Sequence, residues 1–337
     1  MTRKMFLGSL SAAAASVAIP DISFAKPTKL EDIRAILLHL GSNMWDTYST
    51  KLKLNEAIWR KATEYIKNKG MNLLLIDVGE GVVYPSHPEL AVEGSWSPDK
   101  LKAELARLRG MGLEPIPKLN FSATHDAWLK EYQRMLSTKP YYQVCQDVIR
   151  DLAEIFDHPR FIHLGYDEET AGHQWAQQYV AIRKGELWWH DFLWFVSTTE
   201  KAGMRPWIWS DYGWHHPEFI SRCPKSVLQT NWYYDEDGEG FDLATVKKPY
   251  LKLFVELEKA GFDQLPGGSN WASSYWRNKG LKTNTTSIGG LVKFCREHIR
   301  PELRKGFLLG SWVQCDNETN LGIIQEGVDL LAAALNS

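Results

Sequence analysis

Two adjacent carboxylates, Asp167 and Glu168, occur near the middle of this 337-residue chain, one residue after a short apolar segment. That segment, residues 161–165, reads Phe-Ile-His-Leu-Gly and is typical of a buried strand whose carboxyl end delivers both acids. A pair of carboxylates in one place suits acid–base chemistry, above all the cleavage of a glycosidic bond. The alternative interpretation is that both acids cap the next helix, because acidic residues are common at helix starts.

Strands and helices alternate along the chain on both sides of this pair. The sequence predicts strands over residues 33–39, 71–78, 113–119, 161–164, 205–209, 227–232, 262–265 and 307–312. It predicts helices over residues 55–67, 98–109, 141–156, 175–183, 187–202, 217–221, 247–260, 289–299 and 323–335. Eight strands, each followed by a helix, predict a single TIM (β/α)8 barrel. A doubly wound open sheet is the alternative, but no glycine-rich phosphate-binding segment follows any strand.

The first 25 residues have the features of a signal peptide. Arg3 and Lys4 precede an apolar run over residues 5–19, and small residues follow at the expected cleavage position. The start of the chain also resembles a twin-arginine signal, with a lysine in place of the second arginine. The apolar run is short for a membrane-spanning helix. We therefore expect residues 26–337 to form the barrel domain of a periplasmic or secreted protein with no stable membrane insertion.

The composition excludes several partners and cofactors. The net charge is −2, which gives no indication of a nucleic-acid partner. The four cysteines lie far apart without metal-ligand spacing, so we expect isolated buried thiols. Side chains that offer zinc ligands are His39, His125, His163 and Asp211, but no two histidines share the i, i+4 spacing of a zinc-binding helix. We expect neither a metal nor an organic cofactor.

In a barrel of this kind the carboxyl ends of the strands meet at one mouth, where active sites lie. Acids, amides and several of the 15 tryptophans follow the predicted strands. Amides and carboxylates bind sugar hydroxyls and indole faces cover sugar rings, so the mouth is typical of a carbohydrate site. The side chains at these strand ends include Asn120, His163, Trp209, Asp211, Trp232, Tyr233, Trp271, Trp312 and Gln314. His163 is equally well explained as a core residue of its strand.

Three segments resemble one enzyme family. Residues 161–168, Phe-Ile-His-Leu-Gly-Tyr-Asp-Glu, are similar to the H-x-G-G-D-E signature of the β-N-acetylhexosaminidases, family 20 of the glycoside hydrolases. Residues 116–125 resemble the I-P-E-I-D-x-P-G-H segment of that family, and residues 312–314 resemble its late W-x-E. The Asp-Glu match is the most specific of the three.

The resemblance implies a retaining mechanism in which the substrate supplies the nucleophile. Glu168 would be the general acid and base, with a pKa raised by a tryptophan-lined pocket. Asp167 would orient the 2-acetamido group, whose oxygen attacks the anomeric carbon. The resemblance also implies pocket walls and a tyrosine that holds the acetamido oxygen. The wall candidates are Trp209, Trp232, Trp271 and Trp312, and the tyrosine candidates are Tyr233 and Tyr275.

Four positions depart from the family pattern. Tyr166 replaces the second glycine of the signature and is expected to place a bulky ring beside the site. Lys118 and Asn120 replace a glutamate and an aspartate, and Gln314 replaces the glutamate of W-x-E. These departures predict a different sugar or linkage, or a lost activity.

Two alternatives therefore stay open besides an N-acetylhexosamine-specific hydrolase. One is a glycosidase of different specificity with an ordinary carboxylate nucleophile such as Asp77, Glu80 or Asp211. The other is a catalytically silent carbohydrate-binding barrel. In each case the partner is an oligosaccharide or glycan.

Overall fold

The structure is a computed structural model that describes residues 32–43, 48–175 and 177–337. The predicted signal peptide, residues 1–25, lies outside the described residues and stays a prediction. Within the described part of the chain, no helix is both long and apolar enough to cross a membrane.

Eight strands and nine α-helices make up the described chain. The strands are β1 (Ile33–His39), β2 (Leu73–Asp77), β3 (Glu114–Lys118), β4 (Phe161–His163), β5 (Arg205–Trp209), β6 (Leu228–Thr230), β7 (Gly267–Gly268) and β8 (Gly306–Gly310). The helices are α1 (Glu56–Asn68), α2 (Pro98–Gly110), α3 (Lys139–Ile155), α4 (Glu186–Lys201), α5 (Phe219–Arg222), α6 (Tyr250–Lys259), α7 (Ser274–Asn278), α8 (Ser287–His298) and α9 (Glu318–Asn336). Short 3-10 helices include Gly172–Gln174 and Asp211–Trp214.

All strand pairs are parallel, in the order β6-β5-β4-β3-β2-β1-β8-β7. Two isolated parallel bridges, Gln229 with Gln264 and Trp232 with Gly267, join the two ends of this sheet. The result is a nearly closed eight-stranded barrel with helices between the strands, which confirms the predicted TIM fold.

The strands are buried on both faces, and this divides the core into two layers. Along β1, Ile33, Ala35 and Leu37 point into the barrel with residues of other strands, whereas Ile36 and Leu38 pack outward against helices. This alternation follows from the two-residue repeat of a strand. The four cysteines are buried and unpaired, as expected.

A polar layer crosses the upper part of the barrel interior. The register of the first four strands aligns His39, Asp77, Lys118 and His163 side by side. Lys118 Nζ lies 2.6 Å from Asp77 Oδ2, and His39 Nδ1 lies 3.5 Å from the same oxygen. Burial alone would raise the pKa of Asp77, but the Lys118 charge and the His39 hydrogen bond lower it to about 2. This ionised pair lies inside the barrel, beneath the strand ends that carry the site.

Two predicted elements were wrong. Residues 177–183 contain no helix: Trp175 and Val180 are 82% and 51% exposed, whereas Arg183 is buried. The seventh strand lies at Gly267–Gly268, preceded by a single bridge at Gln264, rather than over residues 262–265.

Candidate active site

A pocket of about 320 Å³ opens at the carboxyl ends of the strands, where the barrel fold places active sites. Acidic and imidazole groups form one part of its lining, and aromatic rings form the rest. The lining residues are His125, Asp167, Glu168, Trp209, Trp232, Tyr234, Glu236, Trp271 and Trp312. The two predicted catalytic carboxylates and all four predicted tryptophan walls therefore meet in one pocket.

The turn after β4 places the two carboxylates. Gly165, Tyr166 and Glu168 have positive φ angles of 69°, 75° and 55°, a region that favours glycine. A Cβ atom on Gly165 would lie 2.1 Å from Asn120 Oδ1, so only glycine fits there. Asn120 Oδ1 accepts the Tyr166 N–H at 3.2 Å, and Asn120 Nδ2 donates to Asp167 Oδ1 at 2.7 Å. The asparagine thus fixes both the turn and the first carboxylate.

We expect Gly165→Ala to displace Asn120 and to loosen Asp167. The free energy of unfolding should fall by more than about 1 kcal/mol, because alanine is strained at this φ and its Cβ overlaps Asn120. Urea unfolding of the variant measures this loss. Gly110→Ala is a matched control, because nothing lies within 4 Å of a Cβ at that helical position. Equal stability of the two variants would contradict the proposed role of Gly165.

His125 bridges the two carboxylates. Its Nε2 lies 3.2 Å from Glu168 Oε2 and 3.4 Å from Asp167 Oδ2. Burial opposes the charged form, but the Asp167 charge and the bond to Glu168 raise the pKa of His125 to about 9. The imidazole is therefore a cation at neutral pH. The sequence prediction gave His125 a role only as a possible metal ligand. Its position in the segment 116–125, which resembles a family 20 motif, is the signal that indicates this site.

Glu168 differs from the expectation of a raised pKa. Burial alone would raise its pKa, but the hydrogen bond from His125 and the charges of His125 and His173 lower it. His173 Nε2 lies 3.6 Å from Glu168 Oε1. The proton therefore resides on His125, and Glu168 is ionised.

The stabilising effect of His125 should depend on pH. Its folded pKa of about 9 exceeds the usual 6.5, so protonation stabilises the fold below pH 6.5, and this effect is lost as pH rises through 9. The shift corresponds to stabilisation on the order of 3 kcal/mol. Urea unfolding of the wild type and His125→Gln between pH 6.5 and 9.5 should show the stability difference shrinking with pH. A difference that stays constant across this range would contradict the assignment.

His125, Asp167 and Glu168 also form a group that could hold a metal ion. Their ligand atoms all lie within 4.8 Å of one another. Metal ligation requires a neutral imidazole nitrogen, whereas the raised pKa keeps His125 protonated. These three side chains are therefore better suited to a protonated imidazole between two carboxylates than to a metal ion.

Asp211 supports the turn from the neighbouring strand end. Its Oδ2 accepts the Glu168 N–H at 2.9 Å. Burial, and next the nearby Asp167 charge, raise the pKa of Asp211 well above its usual range. A neutral carboxyl group in this position holds the Glu168 backbone but is a poor nucleophile.

The aromatic wall is continuous from one side of the pocket to the other. Ring centroids of Trp209 and Trp312 are 5.8 Å apart, and Trp232 stacks on Tyr234 at 4.9 Å. Tyr234 also lies 6.4 Å from Trp312. Indole and phenol faces in this arrangement suit a sugar ring. The predicted site residues included neither Tyr234, although it lies in the strand-end segment after β6, nor the carboxylate Glu236, and both line the pocket.

Six predicted substrate-binding residues do not line the pocket. Asn120 and Asp211 support the turn that carries the two carboxylates, as described above, and the other four lie elsewhere. His163 is fully buried beneath it, with its ring 4.8 Å from that of Trp209. Tyr233 bonds to Asp235 through its hydroxyl, Tyr275 accepts a hydrogen bond from Lys279, and Gln314 lies outside the lining. Burial and the Lys118 charge hold the pKa of His163 well below its usual range, so it is a neutral support for Trp209.

The other two suggested nucleophiles also lie away from the lining. Asp77 is held in the buried ion pair with Lys118. Glu80 is fully buried and accepts backbone hydrogen bonds from Ser42 and Asn43 at 2.7 and 3.0 Å. Both carboxylates have structural partners instead of access to a ligand.

Comparison with solved structures identifies proteins of the same fold. An exo-β-N-acetylglucosaminidase of glycoside hydrolase family 20 from Vibrio harveyi, in complex with N-acetylglucosamine, matches with a TM-score of 0.56 and 13% identity. The match covers 90% of this chain and 56% of that protein, so this chain spans little more than half its length. The chain has the fold of family 20 catalytic barrels.

Two further matches have the same character. A β-N-acetylhexosaminidase from Bacteroides fragilis matches with a TM-score of 0.57 and 14% identity over 88% of this chain and 65% of that protein. Dispersin B matches with a TM-score of 0.53 and 17% identity over 90% of this chain and 97% of that protein. No protein-family model and no curated protein matches the sequence.

Within this family 20 fold, Tyr166 does not narrow the pocket. Its ring is 2% exposed and packs against Trp188 and Phe192 of α4, at centroid distances of 5.3 Å each. The Arg183 guanidinium lies 4.8 Å from the ring centroid on another side. The turn directs this side chain toward the helix layer, so Tyr166 does not line the 320 Å³ pocket. It borders a larger cavity beside that pocket instead.

Proposed function

We propose that this protein is a glycoside hydrolase that releases N-acetylhexosamine from glycans by a substrate-assisted retaining mechanism. The observation that carries the proposal is the placement of Asp167 and Glu168 side by side, bridged by His125, in a pocket walled by tryptophans. The Vibrio protein of the same fold is an exo-β-N-acetylglucosaminidase bound to N-acetylglucosamine, which supports the choice of sugar.

In this proposal Glu168 donates a proton to the glycosidic oxygen as the bond to the anomeric carbon breaks. Substrate binding displaces water and moves the proton from His125 to Glu168 across their 3.2 Å contact. The acetamido oxygen of the substrate attacks the anomeric carbon and forms a cyclic intermediate. Glu168 then removes a proton from water, which opens this intermediate with retained configuration.

Asp167 holds the acetamido group for this attack. Its Oδ1 is fixed by Asn120, whereas Oδ2 faces His125 at the pocket. A carboxylate in this position accepts the acetamido N–H and stabilises the positive charge that develops on the cyclic intermediate. Tyr234, rather than the Tyr233 or Tyr275 suggested by sequence, is the tyrosine that lines the pocket.

A second candidate is a glycosidase with two ordinary carboxylates, and Glu236 is the observation that favours it. Glu236 lines the same pocket as Glu168. Burial raises the pKa of Glu236, against the opposing charge of Lys248, as a general acid requires. In this scheme Glu168 would be the nucleophile and Glu236 the acid, and the substrate would need no acetamido group.

Hydrolysis of paired aryl β-glycosides, with and without a 2-acetamido group, distinguishes these candidates. The proposal expects hydrolysis of the N-acetylated substrates alone, together with inhibition by a thiazoline analogue of the cyclic intermediate. Hydrolysis of both kinds of substrate would favour the two-carboxylate scheme. Binding of N-acetylated sugars without any hydrolysis would reject both and leave a silent carbohydrate-binding barrel.

We also propose that the protein is exported to the periplasm or the cell exterior. The support is the charged start and the apolar run in the first 25 residues. Fractionation of cells that express the full chain, followed by N-terminal sequencing of the mature protein, tests this proposal.

A further inference from the structure

A second, larger cavity adjoins the candidate pocket. Its volume is about 830 Å³, compared with about 320 Å³ for the first. Both cavities are lined by Glu168, Trp232, Glu236 and Trp271, so they meet at a shared wall. The proposed acid therefore stands at the junction of a two-part cleft.

Aromatic side chains from two neighbouring elements line the second cavity. Trp214, in the 3-10 helix Asp211–Trp214, stacks on Tyr250 with ring centroids 3.7 Å apart and lies 4.4 Å from Trp232. At the other end of the same 3-10 helix, Tyr212 stacks on His216 at 3.7 Å. These rings are partly exposed, so a ligand can contact them.

Polar groups border these aromatic faces. His173 is half exposed, and its Nε2 lies 3.6 Å from Glu168. Lys184, His215 and Glu236 also line the second cavity. Flat aromatic surfaces edged by hydrogen-bond donors and acceptors match the two faces and the hydroxyl rim of a sugar ring.

We infer that the second cavity binds the leaving-group side of an oligosaccharide, with room for two sugar units beyond the bond to be cleaved. The inference rests on the proposed function, which places the released sugar in the first cavity and the scissile oxygen beside Glu168. If the first cavity holds one sugar unit, a cavity more than twice as large holds two. Trp214 is the central platform, since it contacts both the shared wall and Tyr250.

A series of oligosaccharides with N-acetylhexosamine at the non-reducing end tests this inference. Substrates of two, three and four units all lose a sugar hydroxyl as the leaving group, so only length changes. We expect kcat/KM to rise about ten-fold from two to three units, in line with one added aromatic–sugar stack, and to stay level from three to four. Equal kcat/KM for all three lengths would overturn the inference.

Variants of Trp214 localise the effect. Trp214→Ala should remove the ten-fold gain between two and three units, and Trp214→Phe should keep part of it. Trp194→Ala is the matched control, because Trp194 is a partly buried tryptophan on α4 that lines neither cavity. A length dependence that survives Trp214→Ala in a folded protein would contradict the assignment of this platform.

Binding measurements separate this inference from the proposed function. Calorimetric titration of the Glu168→Gln protein with the same oligosaccharides reports occupancy of both cavities without hydrolysis. Tighter binding of three units than two, lost in a Glu168→Gln/Trp214→Ala protein, supports the second cavity even if the wild type hydrolyses nothing. Aryl glycoside hydrolysis without any length dependence in binding would retain the proposed function and reject this inference.

Discussion

Glu168→Gln should reduce hydrolysis of an aryl N-acetyl-β-hexosaminide by 10²-fold or more, the usual range for the loss of a general acid. Glutamine keeps the size of the side chain and can still contact His125, but it has no proton to donate to the glycosidic oxygen. The measurement is kcat on a series of aryl leaving groups of different acidity. The loss in the bond-breaking step should be largest for the least acidic leaving group, because that group depends most on protonation.

Asp167→Asn provides the comparison for this result. It should also lose activity, but about equally for all leaving groups, because Asp167 acts on the acetamido group rather than on the departing oxygen. It should also weaken binding of the thiazoline inhibitor. Unchanged hydrolysis by a correctly folded Glu168→Gln protein would reject Glu168 as the acid and would direct attention to Glu236.

The second large effect is expected at Arg183, which is fully buried below the site. Its guanidinium donates to Glu169 at 2.5 Å and to the Phe121 carbonyl at 2.7 Å, and it lies 3.3 Å from Asp191. Side-chain exposure is 0% for Arg183 and Asp191 and 4% for Glu169. Arg183→Met leaves two carboxylates buried without their shared cation. The free energy of unfolding should fall by about 3–5 kcal/mol, as when one partner of a buried ion pair is removed.

Urea unfolding measures this loss, and Arg160→Met is the matched control. Arg160 pairs with Glu114 at 2.5 Å, but both side chains are well exposed, at 46% and 36%. An exposed pair of this kind contributes about 0–1 kcal/mol. If the two methionine variants were equally stable, the buried network would not anchor the chain around Glu168 and Glu169.

The fold was predictable wherever burial followed a regular repeat. The apolar runs of β1 and β2 predict strands because both faces of a barrel strand are buried. The failed helix at residues 175–183 shows the limit of this signal. Its apolar residues Trp175 and Val180 are exposed. Its charged residue Arg183 is buried, where it forms ion pairs with Glu169 and Asp191. β7 was displaced because Gly267 and Gly268 have no side chains to form a pattern.

The site was predictable in its strand-end residues and less so within its loops. Asp167 and Glu168 and the four tryptophans lie where the strand ends predicted. After β6, the pocket residues Trp232 and Tyr234 occur at alternate positions, as extended chain requires. Glu236 reaches the pocket after Asp235, whose φ of 49° turns the chain. The sequence prediction chose Tyr233, the neighbour of Trp232, and an extended chain directs adjacent side chains to opposite sides. The lowered pKa of Glu168 depends on His125 and His173, which only the folded chain brings close.

The short pairing between β6 and β7 should affect the rate of amide hydrogen exchange in this part of the barrel. Only isolated bridges connect these strands, through hydrogen bonds such as those from Leu265 N–H to the Gln229 carbonyl and from Gly267 N–H to the Asn231 carbonyl. Local opening costs least where pairing is shortest. Deuterium should therefore replace hydrogen at residues 265 and 267 sooner than along β1, which pairs continuously on both sides. Trp232 follows β6 and Trp271 follows β7. The same local opening would therefore move these two pocket tryptophans apart.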